Sequence, residues 1–273
     1  MNGRIFVGPS GYAYPEWRGV FYPEDLPPRR FLAYAARRFN SIELNGTFYS
    51  LKSPAVFERW AAAVPPSGFV FAVKGSRFIT HNKKLAGVED ALDNFFNSGV
   101  AALGDTTGPF LWQLPPSLAF DPPRVEAFLE LLPHRHRHAL EVRHPSYLTP
   151  AFYRLLERRG VGFVIADTAG TFPYAEEVTA DFVYVRLHGA EVLYVSRYTD
   201  EQLSTWADHI EGWARPPSGR DVYVYFDNTA KGFAPGDAER LAAVLSARGL
   251  MAARPDSIAP RQLSLSPMTP PQR

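Results

Sequence analysis

The sequence has no cysteine. That excludes disulfides, thiolate metal sites and cysteine nucleophiles, and leaves the redox compartment unread. It has no excess of charge either: the formal net charge is +1. Bulk electrostatics therefore do not call for a nucleic acid or a membrane surface as partner. No apolar run approaches the roughly 18 residues needed to span a bilayer. Met1 to Gly8 reads as a first strand rather than a signal peptide. No strand is followed by a Gly-x-Gly-x-x-Gly turn, which argues against a dinucleotide-binding doubly wound sheet. The expectation is a cytoplasmic chain.

What the chain does have is an apolar strand, a polar exit and a helix, repeated. With 273 residues, 46% of them apolar, one large α/β core can form. Ser41 to Asn45 shows the unit best: Ile42 and Leu44 alternate with Ser41, Glu43 and Asn45, and Gly46 breaks the run. Further strands are predicted over Arg4–Gly8, Phe69–Lys74, Pro109–Leu114, Ala139–Arg143, Val161–Asp167, Phe182–His188 and Asp221–Asp227. Helices are predicted between them, including Val88–Leu103, one opened by an N-cap at Ser53-Pro54, and one opened by Thr149-Pro150. The connection between the sixth and seventh strands is short of a full helix. This alternation predicts a single (β/α)8 TIM barrel over residues 1–250, with a proline-rich, disordered tail over 251–273.

In such a barrel the working face lies at the C-terminal ends of the strands. The residues expected there are Ser10, Glu43, Asn45, Lys74, Gln113, Glu141, Arg143, Asp167, Arg186, His188, Asp227 and Asn228. Interior layers take side chains from alternate strands. That sorts Ser10, Lys74, Glu141 and Arg186 into one set, and Glu43, Gln113, Asp167 and Asp227 into another. Three chemistries fit. Lys74, Arg77, Arg143, Arg186 and Lys231 suit an anion, since arginine forks grip phosphate or carboxylate; alternatively each neutralises a carboxylate. Glu43 and Glu141 can flank a sugar as paired carboxylates. Glu43, Glu141, Asp167, His188 and Asp227 can hold a divalent metal, although no spacing such as His-Glu-x-x-His supports it. No other cofactor is predicted. Tyr12, Trp17, Phe48, Tyr49, Tyr147, Tyr194 and Tyr198 fall in loops, as stacking faces or as an ordinary packed lid. His134, His136 and His138, alternating with Arg135 and Arg137, read as a solvated turn.

Seven blocks carry a resemblance. They are Gly8-Pro9-Ser10-Gly11-Tyr12 with Trp17 and Phe21-Tyr22-Pro23; Glu43 to Tyr49; Lys74 to His81; Gln113-Leu114-Pro115-Pro116; Glu141-Val142-Arg143-His144; Tyr184 to Gly189; and Tyr225-Phe226-Asp227-Asn228. In this order they resemble the YecE-like family, domain of unknown function seventy-two, over roughly Ile5 to Leu245. The resemblance implies a TIM barrel and no established reaction. The chain departs from the pattern at Pro9 and in its tail.

The leading expectation is an enzyme for an anionic small molecule, such as a sugar phosphate or nucleotide fragment. Lys74, Arg77, Arg143 and Arg186 would bind the anion, with Ser10, Tyr12, Asn45, Gln113 and Asn228 around it. Glu43 or Glu141 would be the general base and His188 a proton shuttle, with Asp227 beside them. The alternatives are a non-catalytic protein that binds a nucleic-acid end or a protein partner, and a metal-dependent hydrolase. No membrane partner is expected.

Overall fold

The computed structural model describes residues 1–251, so the expected proline-rich tail lies outside the described residues. Eight strands alternate with helices: β1 (Ile5–Pro9), β2 (Ser41–Leu44), β3 (Val70–Lys74), β4 (Thr107–Gln113), β5 (His138–Glu141), β6 (Gly162–Asp167), β7 (Phe182–Leu187) and β8 (Asp221–Phe226). All ladders are parallel and run in sequence order, with β8 returning to β1. The result is a nearly closed (β/α)8 barrel.

Alternation along each strand decides which side chains face the axis. On β8, Tyr223 and Tyr225 join Phe6, Ala72, Leu111, Ala139, Val164, Ala166, Phe182 and Tyr184 in the interior. Val222, Val224 and Phe226 face the other way, into the shell between sheet and helices. The lower end of the axis is filled by rings, with Phe6 and Tyr223 stacked 4.8 Å apart. Such a barrel is packed rather than hollow, and Glu43, Glu141 and Arg186 are buried at its upper end.

The seam between β1 and β2 is built differently. A single bridge, Ser10 with Glu43, joins them as strands. Below it the Asn40 side chain stands in for a ladder: its Nδ2 donates to the Ile5 carbonyl at 2.7 Å, and its Oδ1 accepts from the Val7 amide at 2.8 Å. Gly8 lies at the closest approach, where an added Cβ would sit 1.8 Å from the Ser41 carbonyl oxygen.

The helical shell follows the sequence with two corrections. In order come α1 (Phe31–Arg38), α2 (Gly46–Tyr49), α3 (Pro54–Ala62), α4 (Glu89–Asn97), α5 (Pro122–Glu130), α6 (Pro150–Arg159), α7 (Asp200–Ala214) and α8 (Phe233–Ala247). The helix expected over Val88–Leu103 stops at Asn97. Gly99 has φ +125°, which no helix allows, and packs against the backbone of Pro54; tight turns over Val100–Thr106 follow. Ser53 precedes α3 but its side chain caps nothing, whereas Thr149 accepts from the Phe152 amide and caps α6. Among the described residues no helix joins β6 to β7, as expected. Thr179 ends that crossover by donating to the Val161 carbonyl at 2.7 Å and accepting from the Phe163 amide at 2.8 Å. None of the described helices is long and apolar enough to cross a membrane.

Gly8→Ala is expected to part the β1–β2 seam and to cost at least about 2 kcal/mol, because backbone cannot yield as a side chain would. Urea unfolding measures it; a neutral change would contradict this account of the seam.

Candidate functional site

β7 places Tyr184 and Arg186 on the inner face, and His188 follows just past its end. Arg186 is fully buried, and every N–H direction of its guanidinium is taken. Nε and Nη2 grip Glu43 at 3.1 and 2.8 Å. Nη1 donates to Glu141 Oε2 at 2.7 Å and faces His188 Nε2 at 3.5 Å. Nη2 also reaches Asp227 Oδ2 at 3.0 Å and Ser10 Oγ at 3.1 Å. One cation therefore ties together β1, β2, β5, β7 and the end of β8.

Each carboxylate is held differently. Glu43 is saturated: Ser10 donates to Oε1, Tyr184 donates to Oε2 at 2.7 Å, and Arg186 donates to both. Glu141 gives Oε2 to Arg186 and Oε1 to Arg143 Nε at 2.9 Å. Asp227 is the most open of the three, at 14% exposure, and uses Oδ2. His188 Nδ1 lies 3.0 Å from that oxygen, at ion-pair distance but off the hydrogen-bond axis, so it has no well-directed partner.

The electrostatics follow. Burial pushes the Glu141 carboxyl up, but Arg186 and Arg143 overcome it and hold the group well below the usual carboxylate range. Asp227 is likewise held low, burial being outweighed by Arg186 and by the neighbouring His188. Both are anions at neutral pH. Lys74, at the end of β3, is pushed down to about 8 by burial and by the Arg186 charge. Its ammonium makes no ion pair with any of the described residues; Nζ lies 4.6 Å over the Phe48 ring. His81, on the turn Phe78–Asn82, is held down to about 4 by burial and by Lys74, Arg143 and Arg77. The mouth thus carries a group of cations around a neutral imidazole.

The structure brings together Ser10, Glu43, Asn45, Lys74, Glu141, Arg143, Arg186, His188 and Asp227. Asn45 Nδ2 donates to Ser10 Oγ at 2.9 Å, while its Oδ1 is buried with no partner. Gln113 is buried at the end of β4, paired in register with Glu141. Arg77, on the loop after β3, is exposed and has no acidic ion-pair partner among the described residues.

Several expectations change. The two side-chain sets are not separate, because the long Arg186 side chain reaches carboxylates of both. Its donors are spent on the protein itself, so it has none left for a ligand's anion. Glu43, fully buried and saturated, has no lone pair free to act as a base. Asp167 leaves the cluster: the register pairs Ala166 with Arg186 and Asp167 with Leu187, so Asp167 faces outward and accepts from Tyr198 Oη at 2.9 Å. Asn228 also faces outward, donating to Asp237 Oδ2 at 2.8 Å and the Ser196 carbonyl at 2.9 Å. Tyr12 packs on the outer shell and accepts from Trp60 Nε1 at 2.7 Å. Lys231 is exposed on the loop between β8 and α8.

With Asp167 gone, the expected metal set is not assembled. Among the described residues no group of three or more His, Asp or Glu is placed to hold a metal ion. His138 belongs to the core rather than to a solvated turn, with Trp112 Nε1 donating to its Nδ1 at 3.2 Å. Sequence reasoning missed Tyr184, although the period-2 run Tyr184, Arg186, His188 carried the signal. It also missed Phe172, whose ring lies 4.5 Å under the Arg143 guanidinium; nothing in the sequence points to that pair.

A cavity of about 480 Å³ opens at the opposite end of the barrel, lined in part by Arg4, Phe96, Arg135, Arg137 and Tyr223. Two of its cations are already satisfied: Arg4 and Arg137 share Asp221, and Arg137 also binds Asp181. The titratable cluster lies at the other end, in the C-terminal mouth.

These features define a (β/α)8-barrel protein whose C-terminal mouth is filled by a charge network. Residues 6–262 match the family model described as "Protein of unknown function DUF72", and the chain belongs to that family. Among its relatives is the UPF0759 protein YecE of Escherichia coli K12, 30% identical over 60% of this chain; the match spans 59% of the YecE length. The UPF0759 protein YunF of Bacillus subtilis is 24% identical, over 96% of this chain and 99% of its own. A crystal structure of the DUF72 protein TM1631 from Thermotoga maritima is 30% identical and superposes with a TM-score of 0.80, covering 89% of this chain and 99% of its own. The DUF72 protein EF0366 of Enterococcus faecalis, at 18% identity and a TM-score of 0.74, shares the fold.

Removing the central cation leaves buried carboxylates unpaired, so Arg186→Met should destabilise by about 3–5 kcal/mol at pH 7. The low carboxylates contribute stability that is complete above their ordinary values of 4.5 and 3.8 and is lost as pH falls toward their displaced ones. The gap between wild type and variant, measured by urea unfolding, should therefore narrow in acid.

Lys74 has the opposite sign. Its folded value, about 8, lies below the ordinary 10.5, so ionised Lys74 costs stability below pH 8, and the cost fades between 8 and 10.5. Lys74→Met should raise the melting temperature at pH 7, and by less as pH rises through that window.

Proposed function

We propose that this protein is an enzyme acting on a small anionic molecule, such as a sugar phosphate or nucleotide fragment, at the C-terminal mouth of the barrel. The observation that carries the reading is a pair of cations that have no ion-pair partner among the described residues, Lys74 and Arg77. Glu43, Glu141 and Asp227 are matched in charge by Arg186, Arg143 and Lys74, which leaves Arg77 in excess, and Lys74 and Arg77 both help to hold the His81 imidazole neutral. A phosphate or carboxylate there would gain charge-assisted hydrogen bonds. Arg143, already bonded to Glu141, adds to the field.

The rest of the mouth suits a polar body. The buried, unpartnered Asn45 Oδ1 can accept from a ligand hydroxyl. Gln113 supplies an amide, and Phe48 an apolar face. Asp227 and His188 are adjacent polar groups, and Lys74 titrates near neutral pH, where acid–base chemistry is most effective.

Isothermal titration with inorganic phosphate tests the reading. Arg77 is exposed, so Arg77→Ala leaves the fold intact and should weaken phosphate binding about tenfold or more, as expected for a hydrogen bond to a charged group. Arg135→Ala, at the far end of the barrel, should leave binding unchanged. Equal affinity in the wild type and Arg77→Ala would overturn the anion site.

A further inference from the structure

Lys74 is unlike the other lysines of this chain. Lys52, Lys83, Lys84 and Lys231 are partly or fully exposed, whereas Lys74 is 8% exposed. It sits inside the mouth of the barrel, over an aromatic face 4.6 Å away, and none of the described carboxylates is at ion-pair distance. The nearby carboxylates are engaged elsewhere: Glu43 and Glu141 on arginines, Asp227 on Arg186. A buried, unpaired ammonium costs stability, and a methionine would fill the same space without that cost. Both burial and the Arg186 charge favour its neutral amine. A desolvated lysine beside a second cation is the arrangement that makes an amine nucleophilic near neutral pH.

We propose that Lys74 Nζ forms an imine with the carbonyl carbon of an anionic aldehyde or ketone, whose acidic group is held by Arg77 at the rim. The inference rests on the anion site proposed above and narrows its substrate to carbonyl-bearing anions. The step balances without a co-reactant. The amine lone pair, freed when a proton leaves the ammonium, bonds to the carbonyl carbon. Two of the three ammonium protons depart with the carbonyl oxygen as water, and the third stays on nitrogen as the iminium. The iminium carries the same single positive charge as the ammonium it replaces. The balance of Glu43, Glu141 and Asp227 against Arg186, Arg143 and residue 74 is thus preserved, and the surrounding dipoles need not reorganise. The iminium then draws electrons from the adjacent carbon, which lowers the barrier to breaking a C–H or C–C bond there.

Glyoxylate, the smallest anionic aldehyde, is the probe. Wild-type protein is incubated with glyoxylate and cyanoborohydride at pH 7, and carboxymethylation of each lysine is followed by peptide mass spectrometry. An amine with a value of about 8 is roughly a tenth unprotonated at pH 7, far more than an ordinary lysine. Lys74 should therefore react more than about tenfold faster than Lys52, Lys83, Lys84 or Lys231. Arg77→Ala should slow this labelling at Lys74 but leave labelling by neutral glycolaldehyde unchanged. Labelling of Lys74 no faster than that of the exposed lysines would overturn the imine, while the phosphate titration would still judge the anion site by itself. Fast labelling of Lys74 that ignores Arg77 would overturn the requirement for an anion.

Discussion

A guanidinium buried among three carboxylates governs the upper half of this barrel. Arg186 has no contact with solvent, and its partners come from β2, from β5 and from the end of β8. Such a network is costly to desolvate and is retained only when nearly every donor and acceptor is matched. Here the matching extends to Ser10, Tyr184 and Arg143. The same network also reinforces the seam, because Glu43, gripped by Arg186, carries the bridge between β1 and β2. Arg186 thus links order in the mouth to closure of the barrel, where Asn40 also holds β1 to β2.

That dependence separates the charges into two levels. The inner level is hydrogen-bonded within itself, and its donors are spent on its own carboxylates. The outer level, Lys74 and Arg77 with Arg143 between the two, is held near an imidazole that carries no charge at neutral pH. Burial decides which groups belong to which level: Arg186 and Glu43 are sealed, Asp227 and Lys74 touch the opening, and Arg77 is exposed.

Much of this was legible in the sequence. Apolar alternation with a polar exit gave all eight strands, the irregular β6–β7 crossover and most of the inward residues at the mouth. The misplacements were local. Asp167 ends its strand one position out of phase with the inward Ala166, and a single-residue step in a strand reverses the face. Asn228 follows Asp227 by one residue and is turned outward for the same reason. Arg186 was placed correctly, but its partners depend on how far a long side chain reaches across the axis, which periodicity does not encode. The break at Gly99 arises from packing against Pro54, a contact between residues far apart in the chain.

The seam has a temporal side. β1 finds its ladder on β8, where Ile5 pairs with Val222, and only an isolated bridge and the Asn40 side chain join it to β2. During synthesis, then, the first strand of the barrel meets its main partner only after the other seven strands have been made. Until that point it has little to hold it, since loop-closure entropy must be met before such distant contacts form. The earliest-made strand of the barrel is thus the last to gain its full ladder, and the ring is completed where β8 meets β1.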